Sequence, residues 1–368
     1  MNVSSYRVML ALATMSMLVL TNEAEAQNGR AQPLPLVWVI ATGGTIAGGG
    51  GSTGAVSDYK PGSLTADELV KSAPDIKRFA EVKVEQLFNV GSNDLTLKNV
   101  LTLSNRINTI FATDARVAGI VVTHGTSTLE ETAYFLNLTV RDDRPVVVTG
   151  AMRPATAPSA DGPLNLVNAV RTASTRDARG KGVLVVLNDE INSARDATKS
   201  STYRVETFRA PDLGLLGYVD GDAVAFYRSS TRRHTTNTQF DVREIRDLPK
   251  VDIYSSYLEP NTDIIGALVK SGAKGIVFAG TGAGTVTASE RAALKALQSS
   301  TSPQPVLVRS SRVGSGRVIG LTGLRDEYDA LGLIPGDNLN PQKARILLML
   351  ALTRTNNRDE IKRMFAEY

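Results

Sequence analysis

Two stretches of this chain end in the same way. Residues 36–45 read LVWVIATGGT and residues 118–126 read AGIVVTHGT, each an apolar run stopped by glycine with threonine beside it. Continuous apolar runs of this length fit strands covered on both faces, as in a parallel sheet. In open α/β sheets, ligands gather outside the carboxyl ends of the strands. The paired turns therefore mark one sheet edge as the place for a site. Thr45 and Thr126 there, with a lone lysine further on (Lys199), are the parts of a hydroxyl-nucleophile enzyme.

The rest of the chain alternates in the same sense. Apolar runs predict strands at 36–41, 82–88, 119–123, 145–149, 183–187, 274–279 and 306–309. Helices are predicted between them. One spans 65–73, opening on the capping box Thr65-x-x-Glu68 and stopping at Pro74. Others cover 128–138, 164–173, 263–270 and 341–352, the last with Asn340 as N-cap and Pro341 at the first helical position. Ile361, Met364, Phe365 and Tyr368 make one apolar face on a terminal helix. The alternation implies an α/β fold with two domains: a larger, parallel-sheet-based amino-terminal domain and a smaller carboxy-terminal α/β domain. The pattern lapses into polar residues before Lys250, so the expected layout is an amino-terminal domain over 32–230, a linker over 231–249 and a carboxy-terminal domain over 250–368.

Residues 1–26 are read as a secretory signal peptide. Arg7 precedes an apolar stretch from Val8 to Leu20, and Ala24-Glu25-Ala26 is a small-x-small cleavage site. A periplasmic or secreted protein follows, with no membrane association after cleavage. The chain has no cysteine and only two histidines, His124 and His234, which excludes disulfides, thiol nucleophiles and thiolate metal sites and argues against a His-rich metal site. The net charge of +4 is dispersed apart from Arg232-Arg233-His234, and aromatics are few, which reads as a solvated basic surface and not as a nucleic-acid groove.

Each candidate residue carries a plain structural alternative. Thr45 either projects into the crevice or caps its turn. Tyr59 lies past a glycine-rich segment, 48–55, that has the composition of a mobile lid and could bring the phenol to Thr45. Thr126 opens a helix, and both Ser127-x-x-Glu130 and Thr128-x-x-Glu131 read as capping boxes. Lys199 becomes a base only if burial or a positive neighbour lowers its pKa. Ser92 and Asn93, after another strand, are short polar groups suited to orienting a small substrate. Gly280-Thr281-Gly282-Ala283-Gly284 imitates a dinucleotide loop without its full spacing.

Several collinear motifs resemble the bacterial type II L-asparaginases of the asparaginase/glutaminase family. They are 41–48 (ATGGTIAG), 123–126 (THGT), 130–136 (EETAYFL), 151–154 (AMRP), 159–163 (SADGP), Asn188-Asp189, Arg195-Asp196, Thr198-Lys199, 309–312 (RSSR) and 339–345 (LNPQKAR). The resemblance covers nearly all of the chain after residue 26. It implies hydrolysis of L-asparagine to L-aspartate and ammonia without a cofactor, in a homotetramer whose sites are shared between subunits. It implies Thr45 as nucleophile, Tyr59 as its loop partner, Thr126 with Lys199 as a second hydroxyl–amine pair, and Glu327 as an acid from the neighbouring subunit, with Asp326 as competitor. Ser92, Asn93, Ser127 and Thr285 would contact substrate. Two positions depart from the family pattern. Ser127 stands where an aspartate usually pairs with the substrate α-ammonium, and Asn93 where glutamine or glutamate is usual. The departure at Ser127 leaves two other readings open: a glutaminase or small-amide hydrolase with altered α-amino recognition, and a catalytically silent amino-acid binding protein.

Overall fold

The computed structural model describes residues 33–50, 59–300, 303–319 and 323–368. The proposed signal segment and most of the glycine-rich segment before Tyr59 lie outside these. The main sheet begins with β1 (Leu36–Gly43), followed by α1 (Ala66–Lys71), β2 (Glu81–Val90), α2 (Leu97–Thr113) and β3 (Val117–Thr123). It continues through α3 (Leu129–Thr139), β4 (Val146–Thr149), α4 (Gly162–Ser174) and β5 (Val183–Leu187). These strands pair in parallel, in the order β5-β4-β3-β1-β2. Because β2 lies on one side of β1 and β3 on the other, the strand order reverses at β1, and the crevice above that reversal is where α/β sheets receive ligands.

The sheet is covered on both faces, as its uninterrupted apolar strands require. Ile40, Ile120, Val122 and Val148 point to a core filled by Leu103, Ile107 and Phe111 of α2 and Ala133 and Leu136 of α3. Val37, Val39, Val121 and Val147 point the other way, against Leu69 of α1 and Leu166, Ala169 and Val170 of α4. The odd-even alternation along β1 is the period-2 pleat sorting its side chains between two buried faces.

Beyond β5 the sheet departs from the all-parallel expectation. Short strands β6 (Glu190–Ser193), β9 (Gly217–Val219) and β10 (Val224–Phe226) extend it with antiparallel pairing. Between them, β7 (Thr198–Lys199) and β8 (Phe208–Arg209) form a separate two-stranded ribbon. These segments are too short to print a period in the sequence.

A second sheet, wholly parallel, runs β11-β12-β13-β14. Its strands are β11 (Val251–Ser255), β12 (Gly275–Gly280), β13 (Val306–Ser311) and β14 (Leu333–Pro335), with α5 (Asp263–Lys270), α6 (Ala288–Ser300) and α7 (Arg325–Ala330) between them. Helices α8 (Pro341–Leu352) and α9 (Arg358–Glu367) complete the chain. As expected, Asn340 caps α8, its side chain accepting from the Lys343 N–H, and Ile361, Met364, Phe365 and Tyr368 are all buried. The capping box at Thr65 is also formed.

The polar stretch 231–249 has no long element, yet it is packed. Phe240 and Val242 lie in one core with Tyr134 and Phe135 of α3 and the apolar faces of α8 and α9. The basic cluster is likewise not a free solvated patch: Arg232 pairs with Asp337 at 2.6 Å and Arg233 with Glu367 at 2.6 Å. That core therefore joins the helix following β3 to the helices that close the chain. Among the described residues, no helix is long and apolar enough to cross a membrane.

Candidate active site

Three parallel strands, β1, β2 and β3, end at the same edge, and their turns interlock at van der Waals contact. Gly43 (φ +102°) sits so close to β2 that a Cβ there would lie 2.4 Å from the Val90 carbonyl oxygen. At Gly44 (φ +84°) a Cβ would lie 2.3 Å from both Cα and N of Gly125. At Gly125 it would lie 2.6 Å from Ser92 Oγ. At Gly43 and Gly44 only glycine tolerates both the left-handed backbone and this approach, and at Gly125 the close approach alone leaves no room for a side chain. The matched sequence pattern is thus two turns that touch, backbone against backbone, each followed by a threonine.

Thr45 begins a single 3-10 turn over Thr45–Ala47 and is almost fully buried. Its hydroxyl lies 2.7 Å from the Tyr59 hydroxyl. The chain is held there by the Gly49–Lys60 bridge and by the Gly62 N–H donating to the Gly44 carbonyl at 3.1 Å. Tyr59 also stacks so closely on Gly48 that a Cβ would meet its ring at 2.6 Å. One turn further round the edge, Lys199 Nζ donates to Thr126 Oγ1 at 2.9 Å. Burial holds the Lys199 amine below the usual lysine range, and the negative charge of Glu130 works against that shift.

Ser92 ties the second strand end into the group. Its hydroxyl accepts from the Ser127 N–H at 3.2 Å, while Thr128 Oγ1 donates to the Ser92 carbonyl at 2.8 Å. The hydroxyl of Thr128 is thereby spent on Ser92, and neither capping box read at the start of α3 forms. Glu130 is used elsewhere: its carboxylate accepts from the Lys199 N–H at 2.6 Å, Thr198 Oγ1 at 2.8 Å and Asn340 Nδ2 at 2.7 Å. Sequence spacing missed this role, because the partners lie far along the chain.

Ser127 and Asn93 are exposed. Ser127 and Lys199 line an open cleft of about 1130 Å³ between the two sheets, opposite Ser255, Ser311 and Arg312. Thr45, Tyr59 and Thr126 are not among the residues that line that cleft, so of the two threonine pairs only Lys199 reaches it. Two of the sequence candidates stand apart within the chain. Thr285 closes a small turn at the end of β12, its N–H donating to the Thr281 carbonyl at 2.7 Å. This turn is what the Gly280–Gly284 imitation of a dinucleotide loop forms. Glu327, on α7, pairs with Lys295 at 2.8 Å and Arg291 at 2.9 Å. The Lys295 hydrogen bond leads the effects that hold its carboxyl below the usual range. Asp326 also lies on α7.

His124 is structural. It is fully buried, with its Nδ1–H donating to the Gly125 carbonyl at 2.7 Å and Nε2 without a partner. Among the described residues no group of three or more His, Cys, Asp or Glu side chains could hold a metal ion.

Fold and site together define a two-domain α/β enzyme built around side-chain hydroxyls at a switch point. The comparisons agree with the fold. Residues 36–232 match the family described as Asparaginase, N-terminal, and residues 250–365 the Glutaminase/Asparaginase C-terminal domain. The chain is 46% identical over 345 residues to L-asparaginase 2 of Bacillus subtilis, covering 94% of this chain and 90% of that protein. It is 45% identical over 338 residues to a protein of Haemophilus influenzae named probable L-asparaginase periplasmic, covering 92% and 94%. A crystal structure titled as a probable cytoplasmic L-asparaginase from Campylobacter jejuni superimposes with a TM-score of 0.86 at 44% identity, over 90% of this chain and 99% of that one. The chain belongs to the asparaginase/glutaminase family.

Burial depresses the His124 pKa to about 4. In the unfolded chain it returns to the ordinary value near 6.5, so lowering the pH below about 6.5 protonates the unfolded state first and stability falls until about pH 4. Between pH 7 and pH 5 this group should cost about 2 kcal/mol. Urea unfolding of His124→Gln should lack that part of the loss seen in the parent. Equal losses in the two proteins would show that His124 does not titrate in this way.

Proposed function

We propose that this protein hydrolyses the side-chain amide of L-asparagine, giving L-aspartate and ammonia, with Thr45 as nucleophile. The observation that carries the reading is the 2.7 Å contact between the Thr45 and Tyr59 hydroxyls beside an amine–hydroxyl pair, Lys199 and Thr126, at 2.9 Å. A threonine hydroxyl is a weak nucleophile and needs a partner to take its proton. Thr45 Oγ1 attacks the carboxamide carbon. Its proton moves to the Tyr59 oxygen as that phenol passes its own to the departing nitrogen. Backbone N–H groups of the strand-end turns stabilise the oxyanion. Collapse breaks the C–N bond, ammonia leaves and an ester to Thr45 remains. A water then attacks the ester, giving one proton through Thr126 to the neutral amine of Lys199. Tyr59 protonates the Thr45 oxygen as it leaves and regains a proton from the new carboxylic acid, and Lys199 sheds its proton to the released ammonia, which leaves the enzyme as it began.

Ser92 and Asn93 hold the substrate. Thr285 and Glu327 act on a neighbouring subunit's site, in a homotetramer. Among the described residues of one chain neither makes a hydrogen bond or ion pair with the Thr45 or Thr126 pair, which supports that arrangement, and Glu327 must exchange Lys295 and Arg291 for substrate to serve as an acid. The protein is periplasmic or secreted, a reading supported by the character of residues 1–26 and by the periplasmic relative. No cofactor takes part.

Ser127 sets the substrate preference. The family's aspartate at this position would offer the α-ammonium a charge-assisted bond, worth about 1.5–3 kcal/mol. An exposed hydroxyl here weakens recognition of the α-amino group, which favours amides lacking it. The loss of a carboxylate at 127 does not leave Lys199 without a negative neighbour, since Glu130 remains beside it.

An ammonia-release assay with asparagine and glutamine tests the main reading. Thr45→Ala should lose roughly 10⁴-fold or more in kcat, and undiminished turnover would reject Thr45 as nucleophile. Calorimetric binding of asparagine with no ammonia formed by the parent would instead favour the silent binding protein. A second assay compares asparagine with its des-amino analogue. Ser127→Asp should gain about tenfold or more in kcat/KM for asparagine over the analogue, whereas strong discrimination already present in the parent would refute the role given to Ser127.

A further inference from the structure

Glu130 is a buried carboxylate without an ion pair among the described residues. Such a charge is expensive to keep out of water unless its hydrogen bonds are complete. Its three donors are all neutral, and they come from two distant parts of the chain: the backbone of Lys199 and the hydroxyl of Thr198 on β7, and the side-chain amide of Asn340 at the start of α8. The amino end of α3 adds a favourable field for an anion. Helix capping does not explain the residue, because the N-cap position of α3 receives no side-chain bond.

The contacts fall where Lys199 needs support. Its ribbon is only two residues long, pairing Thr198 with Arg209 and Lys199 with Phe208. So short a strand does not fix a side chain by itself. Glu130 grips the main chain of Lys199 while the same residue's amine reaches Thr126, four positions before Glu130. The hydroxyl and the carboxylate therefore lie on one short, rigid segment, and the lysine is held to it at both ends.

We propose that Glu130 is a positioning residue that fixes Lys199 against Thr126 and links that pair, through Asn340, to the carboxy-terminal half of the chain. The inference rests on the role given to Lys199 in the proposed function. Its charge acts as well as its geometry. Glu130 raises the proton affinity of Lys199 against the effect of burial. The other charged groups near the pair are Glu131, whose carboxyl burial pushes up, with Arg209 and Arg312 on the cleft wall. Behind it stands Lys343 on α8, fully buried, hydrogen-bonded to the Arg195 and Ala197 carbonyls, held down to about 8 by burial and opposed by Glu130 and Asp196.

The test is the pH dependence of asparagine turnover by the full chain, pH 5 to 9, in four variants. Glu130→Gln should lower kcat about tenfold or more, as a small misplacement of a reacting group does, with KM changed less than about threefold. It should also move the acidic limb of the profile to lower pH, because the amine loses the charge that favours its protonated form. Thr198→Val removes one bond of the clamp and keeps the charge, so kcat should fall while the limb stays. Lys343→Met should leave the limb in place. An unchanged kcat and limb in Glu130→Gln would overturn the proposal, as would a limb that follows Lys343. If Glu130→Gln does not fold, an unchanged kcat in Thr198→Val overturns it alone. Lys199→Met separates the two readings: full activity there sinks the role of Lys199 itself, whereas inactivity there with a normal Glu130→Gln sinks only the clamp.

Discussion

The structure depends on one contact, that of the Gly44 backbone on the Gly125 backbone. Strands β1 and β3 pair in register up to Ala41 and Thr123, and their turns then meet without side chains between them. Any Cβ would force the turns apart, since protein interiors have no slack of that size. Because the turns touch, the residues after them are placed by rigid backbone and not by flexible side chains. Thr45 and Thr126 inherit that placement. Groups placed in this way need no reorganisation when a ligand arrives.

Around that contact the polar groups are satisfied by long-range partners. Thr42 Oγ1 donates to the Thr123 carbonyl at 2.8 Å, binding the two strand ends across the sheet. Thr149 does the same to the Val186 carbonyl at 2.7 Å. Such buried hydroxyl bonds give modest net stability, about 0.5–1.5 kcal/mol each, but leaving a partner unmet costs more. They therefore discriminate strongly against a shifted register. The Glu130 cluster extends the same logic from the large sheet to α8, so that the two halves of the chain meet at a satisfied polar junction next to the Lys199 pair.

The large-scale fold was legible because its signals are long. The apolar runs of β1, β3, β5, β12 and β13 read directly as strands covered on both faces, and Thr65 and Asn340 marked helix starts that the structure keeps. The antiparallel extension through β6, β9 and β10 was not, since three or four residues cannot establish a period. Helix α2 was missed although Val100, Leu103, Ile107, Ile110 and Phe111 form its buried face; the Asn and Thr residues between them blurred the stripe. In the site, glycine and threonine at the strand ends were readable, and so was Lys199 as a candidate. Glu130 was not: its spacing from Ser127 imitates a capping box, and nothing local reveals an acceptor used by Thr198, Lys199 and Asn340. Pairing of the basic cluster with Asp337 and Glu367 was hidden for the same reason, its partners lying more than a hundred positions away.

The two threonines sit in near-identical local sequence, and each has a different partner: a phenol for Thr45, an amine for Thr126. In the proposed mechanism only the first carries covalent chemistry. Rapid acid quenching during turnover of a slow ester or amide substrate, followed by peptide mass mapping, reads this directly. An acyl group is expected on the peptide containing Thr45 and none on the peptide containing Thr126. An acyl group found on Thr126 would contradict it.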